Sequence, residues 1–360
     1  MNTGLVRALN FGLWAGLWAG LVPVGSSFGA DYRPTAVSAP SFADLCKSAD
    51  LSPAARNTVE IMMYKAGFAT HASDQNCEAA GQALSRLRWL NLFIYQYDPQ
   101  FPPITDIKPV ASLPQLEKLT ITGHDVSDIR PLAALSRLTM LNAFRNNIQD
   151  LTPLASLGLL QELILAENEI TSVEALANLR LLKQLDLAGN SIEDLAPLRD
   201  LRHLEILRMD RNRVTSLEPL ASLVRLSTLD ASENRIGSTQ PLQNLVRLER
   251  LDLSMNPLVS FAPLAALREL RTLGLRAVGA ENLDFLALLE KLQWLGLSDN
   301  HIRDLGPLAS AINLKILNVD GNRICTVAPE VASLQAPHYN SGGELISLLI
   351  QGLEHQSGCD

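Results

Sequence analysis

The chain has 360 residues, 47% of them hydrophobic and only 5% aromatic, so it can bury a large and mainly aliphatic core and is not a disordered chain. Its 30 Lys and Arg stand against 38 Asp and Glu, a formal charge of −8, and a diffuse acidic surface argues against a nucleic-acid or anionic-membrane binder, since both partners need basic patches. Four Cys and six His leave few soft metal ligands.

The N-terminus reads as an address. Arg7 is the one basic side chain before an apolar run from Phe11 to Val22. Pro23 breaks the run, and the small residues Gly25, Ser26, Ser27, Gly29 and Ala30 follow. A positive start, a short apolar stretch and a small-residue exit are the parts of a secretory signal peptide over 1–30, with a cut after Ser26, Gly29 or Ala30. The rival is an uncleaved anchor, for which Gly12, Gly16 and Gly20 supply a close-packing stripe. Spanning a bilayer takes about 20 apolar residues, more than this run offers. The mature protein is therefore expected to be exported, periplasmic or secreted, and not inserted in a membrane.

Residues 31–41, with Pro34 and Pro40, read as an extended tether, and 42–86 as a helical N-terminal cap. Ser52-Pro53 starts a helix with Val59, Met62, Met63 and Ala66 on one face, ended by Gly67. A second helical stretch runs from Cys77 to Leu87. Cys46 and Cys77 precede the repetitive region; Cys325 and Cys359 end it. Four cysteines allow three connectivities, and export permits oxidation. Local pairing, Cys46–Cys77 and Cys325–Cys359, is the simplest choice.

From Leu116 to about Leu334 one unit recurs every 22 residues. Leu182, Leu185, Leu187, Asn190, Ile192, Leu195, Pro197, Leu198 and Leu201 become Leu204, Leu207, Met209, Asn212, Val214, Leu217, Pro219, Leu220 and Leu223 one period on. Leu87, Leu90 and Leu92 open an earlier copy, which carries an insertion at 95–103. The pattern resembles the leucine-rich repeat, and within that family the internalin and phosphatase-regulator types. The resemblance implies an α/β solenoid over 87–334: a horseshoe with a parallel concave β-sheet of about 11 strands and a convex side of short 3₁₀ turns. The physics agrees. The L-x-L core alternates with period two, as a strand does. A proline fixed after the turn cannot sit in a central strand and belongs to the return. No repeat buries its apolar side alone, so stacking makes the core.

A structural ladder of asparagines follows the strands: Asn146, Asn168, Asn190, Asn212, Asn234, Asn256, Asn300 and Asn322. His124 and Val278 replace Asn in two repeats, and a local irregularity is expected at Val278, where Phe285 also replaces the usual Pro. Residues 335–360 read as a C-terminal cap with a helix around Glu344 to Leu353.

No histidine joins a catalytic or metal motif, and phosphate-binding and dinucleotide fingerprints are absent. Neither enzymatic activity nor a cofactor nor a metal site is expected. The binding surface of the architecture is the concave sheet. There Asp186, Asp210, Asp230 and Asp252 cluster with Arg208 and Arg250, in positions to pair across strands. Trp294 and Arg276, with Ile316, have the composition of an interface hot spot. Met140, Phe144 and Ile164, beside Trp89 and Phe93, form an apolar row. The expected function is an exported, monomeric, non-catalytic scaffold that binds another protein through this face. An intracellular phosphatase-regulator-like scaffold is the alternative, and an enzyme with an unrecognised site a distant third.

Overall fold

The computed structural model describes residues 40–69, 73–93 and 101–324 and, toward the C-terminus, 327, 329–336, 338–339, 345–346 and 348–353. The leader, almost all of the tether, the Cys325–Cys359 pair and most of the 95–103 insertion lie outside them. Residues 39–360 form one unit. Among the described residues no helix is long and apolar enough to cross a membrane.

Three helices come first: α1 (Phe42–Lys47), α2 (Pro53–Lys65) and α3 (Asp74–Ser85). Each starts on a serine that satisfies an orphan amide. Ser41 forms a capping box with Asp44, Ser52 accepts from Ala55 N with Pro53 in the first turn, and Ser73 accepts from Asn76 N. Gly67 ends α2 at φ 83°, a left-handed conformation that favours glycine. A Cys46–Cys77 disulfide ties α1 to α3. The helices lie on the open end of the repeats, burying Val59, Met62, Met63 and Leu84 in the same core. Thr58 Oγ1 donates to Asp106 O at 2.6 Å, and Gln115 Nε2 donates to Leu84 O at 2.9 Å. The first occupies a repeat carbonyl that an uncapped end would leave exposed, and the second ties the cap helix to the first repeat.

The repeats form a parallel sheet of twelve strands in chain order among the described residues. Each repeat strand is three residues long, from Trp89–Asn91 to Ile316–Asn318. The central leucines stack in register: Leu141 against Leu163, Leu163 against Leu185, Leu185 against Leu207. These leucines are fully buried, and the flanking residues of each strand face away from the core. Replacing one of them by Ala would cost about 2–5 kcal/mol, because stacked neighbours cannot close the cavity.

The repeats supply eleven strands, as expected, and a twelfth, Leu349–Gln351, joins them from the C-terminal stretch, a correction to the helix expected around Glu344 to Leu353. It pairs parallel with Ile316–Asn318, and Leu345–Ile346 pairs antiparallel with His338–Tyr339. The last repeat strand would otherwise present a bare edge, and this backbone need overrides a helix-like spacing of apolar residues.

The return side has its own logic. Prolines sit at the first positions of most 3₁₀ turns, such as Thr152–Leu154, Ala196–Leu198 and Gly306–Ser310. A short polar residue two places earlier accepts the turn's first free amide. Asp150 accepts from Thr152 N at 2.9 Å, Asp194 from Ala196 N at 2.7 Å, and Ser216 from Glu218 N at 3.2 Å.

Between strand and return the chain turns on the Asn column. Asn168 Oδ1 accepts from Ile148 N at 3.0 Å, while Nδ2 donates to Ala143 O at 3.0 Å and Leu165 O at 2.9 Å. One amide thus joins two repeats, and the same pattern recurs through Asn322. The residue just before this column is left-handed in repeat after repeat. Arg145, Glu167, Arg211, Glu233, Met255, Ala277 and Asp299 have φ between 52° and 58°, and Gly123, Gly189 and Gly321 stand at the equivalent places.

The two departures from the column resolve differently. His124 acts as an asparagine: Ile104 N donates to Nδ1 at 3.3 Å, and Nε2 lies 3.0 Å from Leu92 O. The neutral Nε2–H tautomer satisfies both contacts. Val278 cannot, and the neighbouring repeat rearranges. Leu258 N turns to Asn256 O at 2.9 Å instead of to a column side chain. Asn300 Oδ1 takes two amides, Val278 N at 3.1 Å and Ala280 N at 2.9 Å.

Candidate protein-binding face

The outward residues of the sheet stand in columns set by the strand register. Asp186, Arg208, Asp230, Asp252, Gly274 and Gly296 are consecutive neighbours across six strands. All three acids in this column first serve their own strand. Asp186 Oδ1 accepts from Ala188 N at 3.1 Å, Asp230 Oδ1 from Ser232 N at 3.1 Å, and Asp252 Oδ1 from Ser254 N at 2.8 Å. Asn142 does the same for Phe144 N at 3.1 Å. A side-chain acceptor here caps the amide two residues on, as the chain leaves the strand. The expected charge of this column is present, and the cap is a role beyond it, signalled in the sequence by the recurrence of Asp and Asn at one repeat position.

The charges pair unevenly. Arg208 Nη1 lies 3.8 Å from Asp186 Oδ2, whose side chain is only 13% exposed. Arg211 Nε lies 3.1 Å from Asp210, and its Nη1 2.6 Å from Glu167. Arg276 Nε meets Asp299 at 2.8 Å. Arg211, Glu167 and Asp299 belong to the loop just beyond the strands and were not among the expected site residues. Arg250 stands between Thr228 and Thr272 in the register, not between acids. Asp230 and Asp252 are direct neighbours of like sign and form no ion pair among the described residues, although Arg208 flanks Asp230 on the other side. Burial pushes the Asp230 carboxyl above its usual range, with Asp210 and Asp252 adding to the rise. Burial also raises Asp186, against the pull of the Ala188 amide and Arg208.

Two glycines floor the next strands. A Cβ on Gly274 would lie 2.5 Å from the Asp252 carboxyl, and one on Gly296 would lie 2.6 Å from Cη2 of Trp294. The Asp252 carboxylate therefore reaches over Gly274, and the Trp294 indole lies down over Gly296 on its own strand. Trp294 is half-buried, offering a ring face and not a protruding edge.

The apolar row is less continuous than its residue types suggest. Met140 sits between Lys118 and Glu162, and Ile164 between Asn142 and Asp186. Met140, Phe144 and Ile164 are all half-buried. Trp89, on the first strand, is 56% exposed beside Lys118. Among the described residues no group of three or more His, Cys, Asp or Glu is placed to hold a metal ion.

A family model described as Leucine Rich repeats (2 copies) matches residues 159–200 and 180–222. No curated protein matches the sequence. Among solved structures the chain is similar to an internalin from Listeria monocytogenes, with 24% identity over 84% of this chain and 90% of that one and a TM-score of 0.64. It is also similar to internalin C2 of the same organism, 28% identical over 66% of this chain and 98% of that one, TM-score 0.56. A third likeness is the leucine-rich-repeat ectodomain of a plant membrane receptor kinase from Arabidopsis thaliana, in complex with a Casparian strip integrity factor. It is 22% identical over 70% of this chain and 31% of that one, with a TM-score of 0.58. The 22-residue period, the strand register and these likenesses agree that the chain is a leucine-rich-repeat solenoid.

Proposed function

We propose that this protein is an exported, non-catalytic, monomeric scaffold that binds another protein through its concave sheet. One observation carries the reading. Asp186, Asp210 and Asp299 each form an ion pair with an arginine, whereas Asp230 and Asp252 stand side by side and form none among the described residues, although Arg208 is the other strand neighbour of Asp230. Like charges placed opposite one another in a sheet destabilise it, so the pair has a cost that a bound cation would offset. The flat Trp294 ring on its glycine floor lies two strands from Asp252 and adds an aromatic anchor. The partner offers basic side chains to mid-sheet and an apolar group to Trp294.

Export is supported by the leader-like residues 1–30, by the Cys46–Cys77 bridge and by the likeness to internalins. That bridge disfavours an intracellular phosphatase-regulator-like role. Precedent for a protein ligand on this architecture exists in the plant receptor, whose ectodomain was solved with its bound factor. Capture of partners from the native extracellular milieu tests the face: Trp294→Ala, and Asp230→Asn with Asp252→Asn, which keep the Oδ1 caps, should each weaken capture about tenfold or more without unfolding. Unchanged capture by both would remove the concave face from the proposal. N-terminal sequencing of the mature protein tests export, and an intact Met1 would sink it.

A further inference from the structure

Two adjoining strands of the concave sheet have no side chain at their outward centre. Gly274 and Gly296 are register neighbours, with Asp252 on the strand before them and Asn318 on the strand after. The Asp252 carboxylate lies over the first glycine and the benzo ring of Trp294 over the second, and both glycines are buried. Neighbouring strands are about 4.8 Å apart. A carboxylate and a flat aromatic face therefore stand side by side over a floor that raises no side chain of its own.

The fold leaves part of each group unused. Asp252 Oδ1 accepts from Ser254 N at 2.8 Å, whereas Oδ2 makes no hydrogen bond or ion pair among the described residues. The Trp294 ring stacks on no other ring among them, and its Nε1–H has no acceptor there. The cations at flanking positions do not fill the slot. Arg276, two residues beyond Gly274, holds Asp299 at 2.8 Å. Arg250, two residues before Asp252, stands between Thr228 and Thr272 and forms no ion pair among the described residues. On the far side of Asp252 the register places Asp230, a second negative charge.

We infer that this slot binds one arginine side chain of the partner, its stem and guanidinium face on the Trp294 ring and its N–H groups donating to Asp252 Oδ2. The inference rests on the concave-face reading for its partner, and it lets a single residue supply both the cation and the apolar group which that face calls for. Arginine suits the pair better than lysine. Its planar, weakly hydrated head stacks on an indole and its stem packs on apolar surface, whereas an ammonium is a strongly hydrated point charge. A purely apolar side chain would cover Oδ2 and leave it without a partner. The floor has a reason to be glycine: a Cβ on Gly274 would lie 2.5 Å from the Asp252 carboxyl and push it out of place.

The test uses the full chain, labelled with nitrogen-15, and acetyl-Gly-Arg-Gly-amide as the probe, with lysine, citrulline and leucine counterparts. The Trp294 indole N–H signal, assigned by its loss in Trp294→Phe, should shift and saturate at roughly millimolar peptide, the range open to one side chain. The Trp89 indole should stay where it is. Citrulline, which keeps the shape without the charge, should bind on the order of tenfold more weakly, and lysine more weakly than arginine. Asp252→Asn keeps the bond to Ser254 N and should weaken binding about tenfold with no change in the unfolding midpoint. Gly274→Ala should weaken it as well. In Trp294→Leu the Gly274 and Gly296 amide signals take over as reporters, and their response should be lost. The inference is overturned if the lysine, citrulline or leucine peptide binds as well as the arginine one, if Trp89 responds as Trp294 does, or if Asp252→Asn binds unchanged. Partner capture separates the two proposals. Capture that depends on Trp294 and the Asp230–Asp252 pair, with no response to the arginine peptide, removes the slot and leaves the concave face standing. A Trp294 response to the peptide, with capture indifferent to these residues, supports the slot and removes the face.

Discussion

Two places where the Asn column is interrupted behave in opposite ways. At His124 the replacement side chain has both an acceptor and a donor, and the turn closes as in other repeats. At Val278 the side chain has neither. There the Leu258 amide finds a nearby carbonyl, and Asn300 takes up the Val278 amide in addition to its ordinary partner. Pro257, which has no amide to give, lies in the same rearranged stretch, and Val259 makes the bond to Gly237 O that joins it to the preceding repeat. The fold thus requires not asparagine as such but satisfied backbone groups at each turn. Where a side chain cannot supply the bond, one repeat gives up regularity to supply it from the backbone.

The comparison can be broken most forcefully in the regular stretch. Asn168→Val copies the Val278 situation where no rearranged neighbour exists. It orphans the Ile148 amide and should cost about 2–3 kcal/mol in urea unfolding. His124→Val should cost about 2 kcal/mol, and His124→Asn should restore most of it. A pH series sharpens the same point. Burial holds the His124 imidazole below its ordinary range, with Lys65 pushing the same way and the Leu92 carbonyl and Asp125 opposing. A base whose folded value is depressed contributes stability that is full above the unfolded value and lost as pH falls toward the folded one. The wild type should therefore lose stability relative to His124→Asn below about pH 6.5. Val278→Asn should change stability by less than about 1 kcal/mol, because the Leu258 amide already has its partner. The smallest effect belongs to the sheet column. Asp230→Asn keeps the Oδ1 cap on Ser232 and removes a charge beside Asp252, so thermal unfolding should be unchanged or slightly higher at neutral pH. Asp230→Ala, which loses the cap, should fall below both.

Much of this was legible in the chain because a 22-residue repeat writes each structural demand ten times. Leu185 and Leu187 announce a strand, Pro197 its return, and Asn190 the turn between them, and each sits where that spacing puts it. The C-terminal stretch was not legible, since Glu344 to Leu353 occurs once and its apolar residues suit a helix or a strand alike. What decided it was the open edge at Ile316–Asn318, a tertiary fact. The sheet face was legible in composition but not in role. Asp186, Asp230 and Asp252 look like a binding stripe until the amides of Ala188, Ser232 and Ser254 show that each also closes its own strand. Arg211 went unnoticed because it follows the strand by three residues, yet it reaches Glu167 two repeats away.

The left-handed residue before each column side chain bears on how the molecule comes apart. Seven of these positions are filled by residues with a Cβ, at a cost of about 1 kcal/mol or more each. Bonds to adjoining repeats, together with the column amide's bonds within the repeat, hold them in that conformation. A repeat that loses its neighbour should relax out of the turn at once, so a half-length fragment cut within the array would fray inward from the cut. The intact protein, by contrast, should melt over its repeats as a single cooperative unit.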